Sequence, residues 1–124
     1  VQRELDEIGL CRTGDAIATG AGQLKASFVI HTNGPKFFED DTDGKLRQAV
    51  RSCLRLAEKK ELKTLAFPPI GTGLYQVPLD LCARVMVSAV KEHLQTDCGL
   101  QKVVFVARDS REFEPIRTCI EEGQ

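Results

Sequence analysis

The chain has 124 residues, with 17 lysines and arginines against 18 aspartates and glutamates, a formal net charge of -1, 42% hydrophobic and 28% charged residues. That length suits one small domain with a real core, and the balanced charge supplies no global field toward nucleic acid or acidic lipid. Five cysteines, at 11, 53, 82, 98 and 119, form no CxxC pair and read as reduced thiols of a cytosolic or nuclear protein, while no signal peptide or membrane-spanning apolar run is present, so no membrane partner is expected.

At the start, "VQRELDEIG" places Val1, Leu5 and Ile8 at helical spacing before Gly9, a residue suited to the position past a helix end. No Ser, Thr, Asp or Asn caps this helix, so a preceding segment is expected. A short strand at Ala16 to Thr19 leads into a glycine-rich turn at Gly20 to Gly22. A second strand, "SFVIHT" at 27–32, ends at the breaker "NGP", and the two strands can form a hairpin.

The acidic "EDDTDG" reads as helix caps and a solvated turn. In the following "KLRQAVRSCLRLAEKK", Leu46, Ala49, Val50, Cys53, Leu54 and Ala57 share one helical face. Arg47, Arg51, Arg55 and Lys59 step along another side, which reads as a solvated face. "TLAF", at 64–67, reads as a short buried strand. Pro78 fits the first position of a second helix, with Leu81, Cys82, Val85, Met86, Ala89, Val90 and Leu94 on its apolar side.

"KVVFVA", at 102–107, is a continuous apolar run, expected inside a sheet covered on both faces. Asp109 and Glu112 have capping-box spacing, and Phe113, Ile116 and Ile120 carry a last helix that tolerates Pro115 only in its first turns. From residue 27 onward strands and helices alternate, which predicts a three-layer α/β fold with parallel strands.

The chemistry concentrates in "FPPIGTGLYQVP", at 67–78, between a strand and a helix. Open α/β sheets bind ligands there, at the carboxyl ends of strands. Gly71 and Gly73 let the backbone curl so that N–H groups converge on a phosphate, and the next helix adds its positive dipole end. The loop has no lysine and no GKS or GKT, so it is not an ordinary nucleotide-triphosphate loop. Tyr75 offers a flat face and a hydroxyl to a ribose-like group. On spacing alone, a plain strand-to-helix turn explains the glycines as well.

Other reactive residues point to less. His31, within an apolar strand, reads as a core histidine, and His93, near a helix end, as solvated or dipole-compensating. Two distant histidines without HxxxH or paired cysteines give no zinc pattern, so no metal is expected. Cys53 and Cys82 lie on apolar helix faces and are expected to be buried and inert, which disfavours a Cys-His nucleophile.

The three blocks "TGDAIATGAGQLKASFVIHTNGP", "LKTLAFPPIGTGLYQVP" and "KVVFVARDS", in this order and spacing, closely resemble the macrodomain family of ADP-ribose-binding modules. The resemblance covers almost the whole chain, and its texture is most similar to macrodomains of animal ADP-ribosyltransferase-type and histone-variant proteins. It implies a three-layer α/β/α mixed sheet, with residues 1–124 forming one macrodomain-like domain.

The resemblance also implies a site. Ile70, Gly71, Thr72, Gly73, Leu74 and Tyr75 would wrap the ADP-ribose diphosphate and distal ribose, and Asp109 and Ser110 would lie on the adenine side, where helix capping explains them equally well. Gly71 stands where the family often has serine, and Gln76 where it often has glycine. The family's first two strands and first glycine-rich loop have no match here, including the residue that reads adenine and the groups that position water in hydrolytic members.

One of the unmatched strands lies centrally in the family's six-stranded sheet, between the strands matching "SFVIHT" and "TLAF". Its absence would leave those two strands unpaired or force them together, so the expectations are a longer protein, completion by another chain, or a rearranged sheet. The leading expectation is a non-catalytic reader of ADP-ribose, of ADP-ribosylated proteins or of poly(ADP-ribose), without cofactor or metal, nuclear or cytoplasmic and part of a larger multidomain protein. Alternatives are an ADP-ribosyl or O-acetyl-ADP-ribose hydrolase and a pocketless interaction scaffold. Nucleic acid, suggested only by the arginine stripe, is not favoured as a partner.

Overall fold

In a computed structural model of the chain, the described residues are 16–20, 28–32, 35, 40–68, 77–107 and 109–122. They form β1 (Ala16–Gly20), β2 (Phe28–Thr32), α1 (Thr42–Lys59), β3 (Thr64–Phe67), α2 (Leu79–Leu94), β4 (Lys102–Phe105) and α3 (Ser110–Glu122). The helix expected at 1–9 and the turn residues after Gly20 lie outside them. Among the described residues no helix is long and apolar enough to cross a membrane.

The acidic stretch before α1 does cap it. Asp41 adopts the left-handed conformation (φ 54°, ψ 48°), which a short polar side chain tolerates, and its carboxylate accepts the Gly44 N–H at 3.3 Å. At the other end Glu61 is left-handed (φ 58°), while Leu62 N–H donates to Ala57 O and Glu61 N–H to Glu58 O, both at 3.0 Å. This is a Schellman closure built without glycine. Between the caps, all six apolar positions predicted for α1 are buried.

Pro78 is the cap of α2 rather than its first helical residue, because its ψ of 140° is extended. Cys82, Val85, Met86, Ala89 and Val90 pack with α1, as their spacing predicts. Leu94, the terminal residue of the helix, is 40% exposed instead of buried. A second buried face was not legible. Ala83 and Val87 pack against Ile116, Cys119 and Ile120 of α3.

In α3 the buried side is Glu112 and Ile116, with Cys119 and Ile120 half-buried, and Phe113 is 50% exposed, contrary to its expected core role. The helical stripe runs 112, 116, 119 and 120, one position round from the one read by hydrophobicity, because a buried carboxylate occupies it. Pro115 sits in the second turn.

β1 and β2 pair antiparallel, Ala16 opposite Thr32, as the hairpin reading expects. β3 and β4 pair parallel, Thr64 opposite Lys102 and Phe67 opposite Phe105. The two ladders are separate, so among the described residues β2 and β3 do not pair. Ala16 and Ile30 of one ladder and Leu65, Val103 and Phe105 of the other pack on the same α1 and α2 core.

β4 is not covered on both faces. Val103 and Phe105 point into the helices, while Val104 and Val106 are 41% and 48% exposed. Likewise Thr64 and Ala66 of β3 are exposed, Leu65 is half-buried and Phe67 is buried. A run of apolar side chains hides its period of two, so the exposed positions could not be distinguished.

Candidate ligand site

The parallel pair aligns the carboxyl ends of β3 and β4. Val106 N–H donates to Phe67 O at 2.7 Å, and the Phe67 and Phe105 rings stack with centroids 6.2 Å apart. The segments that follow these strands are the glycine-rich connection and the turn at Asp109, so both candidate stretches leave the sheet from one edge. Ile70, Gly71, Thr72, Gly73, Leu74 and Tyr75 lie outside the described residues.

What is described are the anchors of that connection. Phe67 before it and Val77 after it are 4% and 2% exposed and share the main core. Beyond Val77, Pro78 makes no side-chain cap hydrogen bond to α2. The first N–H groups of that helix therefore receive no cap from the residue positioned to provide one, and they add to the positive dipole end.

Asp109 is the N-terminal cap of α3. Its Oδ1 accepts the Arg111 and Glu112 backbone N–H groups at 3.0 and 3.2 Å, and Oδ2 accepts the Arg111 guanidinium at 3.2 Å. The Arg111 hydrogen bond, followed by that from Glu112, holds its carboxyl below the ordinary aspartate range. Ser110, beside it, is exposed as the first residue of α3.

The arginine stripe on α1 is not merely solvated. Arg47 donates to Ser88 and Glu92 of α2, and Arg51 to Glu92 at 3.1 Å. Lys59 is exposed, and Arg55 donates to Ser52 on its own helix. Cys53 and Cys82 are buried as expected, and His31 is half-buried in β2, opposite Ile17.

A second cluster joins residues that are far apart in the chain. His93 Nε2 lies 2.6 Å from Glu58 Oε2, and its side chain is 19% exposed, so it is neither solvated nor a simple dipole compensator. Gly99 N–H donates to Glu58 Oε1 at 2.8 Å and Leu100 N–H to Oε2 at 3.4 Å. Burial pushes the Glu58 carboxyl up, but hydrogen bonds from His93, Gly99 and Leu100 outweigh it and hold the pKa below the ordinary glutamate value. Cys98 completes the group, its thiol 3.6 Å from Leu100 O. Sequence reasoning missed this cluster because Glu58 stands 35 positions from His93 and carries no local signal.

The elements thus define an α/β domain in which the glycine-rich connection follows the carboxyl end of one strand of a parallel pair. The Macro domain family model matches residues 1–86. Over 108 residues the chain is 36% identical to O-acetyl-ADP-ribose deacetylase 1 of Pantoea vagans, a match covering 86% of this chain and 63% of that protein. A macro domain-containing protein of Caldanaerobacter subterraneus is 39% identical over 116 residues, covering 92% of this chain and 66% of that protein.

Among solved structures, the Oceanobacillus iheyensis macrodomain with ADP matches with a TM-score of 0.83 at 28% identity, over 98% of this chain and 65% of that one. The Trypanosoma brucei macrodomain in complex with ADP matches with a TM-score of 0.88 at 29% identity, over 95% of this chain and 50% of that one. The chain belongs to the macrodomain family. It spans 63% to 66% of the length of these two curated relatives.

Proposed function

We propose that the chain recognises ADP-ribose, free or attached to a protein as single units or as poly(ADP-ribose), through the Ile70 to Tyr75 loop. The observation that carries this reading is the setting of the residues that flank the loop in the chain. The loop connects the buried Phe67 at the end of a parallel strand to an α2 N-terminus that its own cap residue leaves without a side-chain acceptor. A diphosphate suits that position, because converging amides and a helix dipole both favour anionic oxygens. Two related macrodomains hold ADP in their solved structures, which supports the same ligand class.

In this reading Gly71 and Gly73 allow close approach of the backbone, Tyr75 packs on the distal ribose, and Asp109 and Ser110 border the adenine. The module works within a larger nuclear or cytoplasmic protein, a reducing setting that suits the free thiols of Cys53, Cys82, Cys98 and Cys119. Calorimetric titration with ADP-ribose tests it, with Gly73→Glu as control because a carboxylate there repels the diphosphate. Saturable heat that is lost in the control is the expected result. Absence of heat from a folded chain refutes the reading.

A second reading is favoured by the deacetylase name of the Pantoea vagans relatives. Here water cleaves the ester of O-acetyl-ADP-ribose, releasing acetate and ADP-ribose. Catalytic release of acetate by the chain, absent in Gly73→Glu, would move the assignment from reader to hydrolase.

A further inference from the structure

We infer that Glu58, His93 and Cys98 form a divalent metal site, with zinc the ion their donor atoms suit best. The inference is independent of the ADP-ribose reading, since it uses the opposite, C-terminal ends of the helices. One carboxylate oxygen, one imidazole nitrogen and the thiol sulfur lie within 4.8 Å of one another, and all three residues are half-buried. Oxygen, nitrogen and sulfur together are a zinc donor set, whereas calcium and magnesium need oxygen throughout.

The geometry requires little movement. Around a tetrahedral zinc, with bonds of about 2.0 Å to nitrogen and oxygen and about 2.3 Å to sulfur, neighbouring donors stand roughly 3.3–3.6 Å apart. Glu58 Oε2 and His93 Nε2 begin at 2.6 Å and must part by about 0.7 Å, and the thiol must close by about 1.3 Å at most. His93 and Cys98 come from one helix end and the turn after it, so they are already neighbours.

Two further features favour a cation here. Helices α1 and α2 run parallel, as the pairing of Asp43 with Arg84, Arg47 with Glu92 and Glu58 with His93 shows, so their negative dipole ends converge on the cluster. A carboxylate and a thiolate would balance the double charge of the ion, which makes its partial burial tolerable. The Gly99 N–H holds Glu58 Oε1, the outer hydrogen bond that ordinarily orients a ligating carboxylate.

His93 also borders an open groove lined by Arg51, Arg55, Ala89, Glu92 and Thr96. Arg51 is offset there by Glu92. A water would take the fourth coordination position. The bound ion would fasten the ends of α1 and α2 to the turn entering β4, replacing the Glu58–His93 hydrogen bond with coordination, so both metal-free and metal-bound chains fold.

The test strips the chain with a chelator and titrates zinc against a chromophoric competitor, then substitutes cobalt to look for tetrahedral bands and thiolate-to-metal charge transfer. One ion per chain, a higher melting temperature with zinc and a cobalt–thiolate spectrum are expected. Cys98→Ser should lose the spectrum while His93→Gln weakens binding by about 100-fold or more, and Cys119→Ser should change neither.

Alkylation of the unmodified chain gives a reading that needs no variant. Saturating zinc should protect the Cys98 thiol and leave Cys119 as reactive as before. Equal Cys98 alkylation with and without zinc, or an unchanged cobalt spectrum in Cys98→Ser, would overturn the inference.

Discussion

The Glu58 carboxylate, on the last turn of α1, meets His93 Nε2, on the last turn of α2, at 2.6 Å, and its other oxygen accepts the Gly99 N–H at 2.8 Å. One side chain therefore fastens two parallel helices and the turn that enters β4. Glu58→Ala leaves His93 and two backbone N–H groups short of an acceptor and should cost about 1–3 kcal/mol in urea unfolding of metal-free protein. Because the folded carboxyl titrates below its ordinary range, the unfolded chain takes up the proton first as pH falls. The stability advantage over Glu58→Gln should be complete above the ordinary glutamate range and vanish as pH drops through the lowered folded value. An advantage that persists at acid pH would show that Glu58 acts through packing alone.

Glu61 adopts φ 58° at the position where a Schellman closure ordinarily uses glycine. An L-residue there carries a steric cost of about 1–2 kcal/mol, part of which glycine returns as chain entropy. Glu61→Gly should stabilise the domain by roughly 1 kcal/mol, read as a higher thermal midpoint, whereas Glu61→Val should lower it.

Lys91 Nζ donates to Cys119 O and Ile120 O at 2.8 and 2.9 Å, carbonyls in the last turns of α3. A cation at a helix C-terminus satisfies those acceptors and the dipole together. Lys91→Met keeps the apolar stem and should cost about 1–3 kcal/mol. Hydrogen exchange should show α3 opening before α1 in that variant, and an unaltered protection pattern would contradict the role.

Glu92 accepts from both Arg47 and Arg51, which lie one turn apart on α1. Glu92→Gln leaves two like charges facing each other at a partly exposed seam. The expected loss is about 0.5–1 kcal/mol at low ionic strength. It should fade in high salt, because exposed pairs are screened, and a loss insensitive to salt would point instead to packing.

Much of the fold was legible because it repeats a simple period. The 3.6-residue spacing of Leu46, Val50, Cys53, Leu54 and Ala57, and of Cys82, Val85, Met86 and Ala89, identified the two faces that form the main core. Glycine and proline marked the strand-to-helix connection, and the three sequence blocks carried the family. Illegible were choices that depend on what lies opposite. Phe113 and Leu94 look like core residues and are exposed, while Glu112 looks exposed and is 3% accessible. Hydrophobicity ranks residues one at a time, but burial is decided by the neighbouring element.

The sequence by itself determined the α/β alternation and the family, because these reside in local spacing and residue type. Only the tertiary structure decided that β2 and β3 stand in separate ladders, that Arg47 and Arg51 share Glu92, and that Glu58, His93 and Cys98 meet. Those relationships join positions roughly 40 residues apart, created when α1 and α2 pack parallel on a common core. No window of sequence contains both partners.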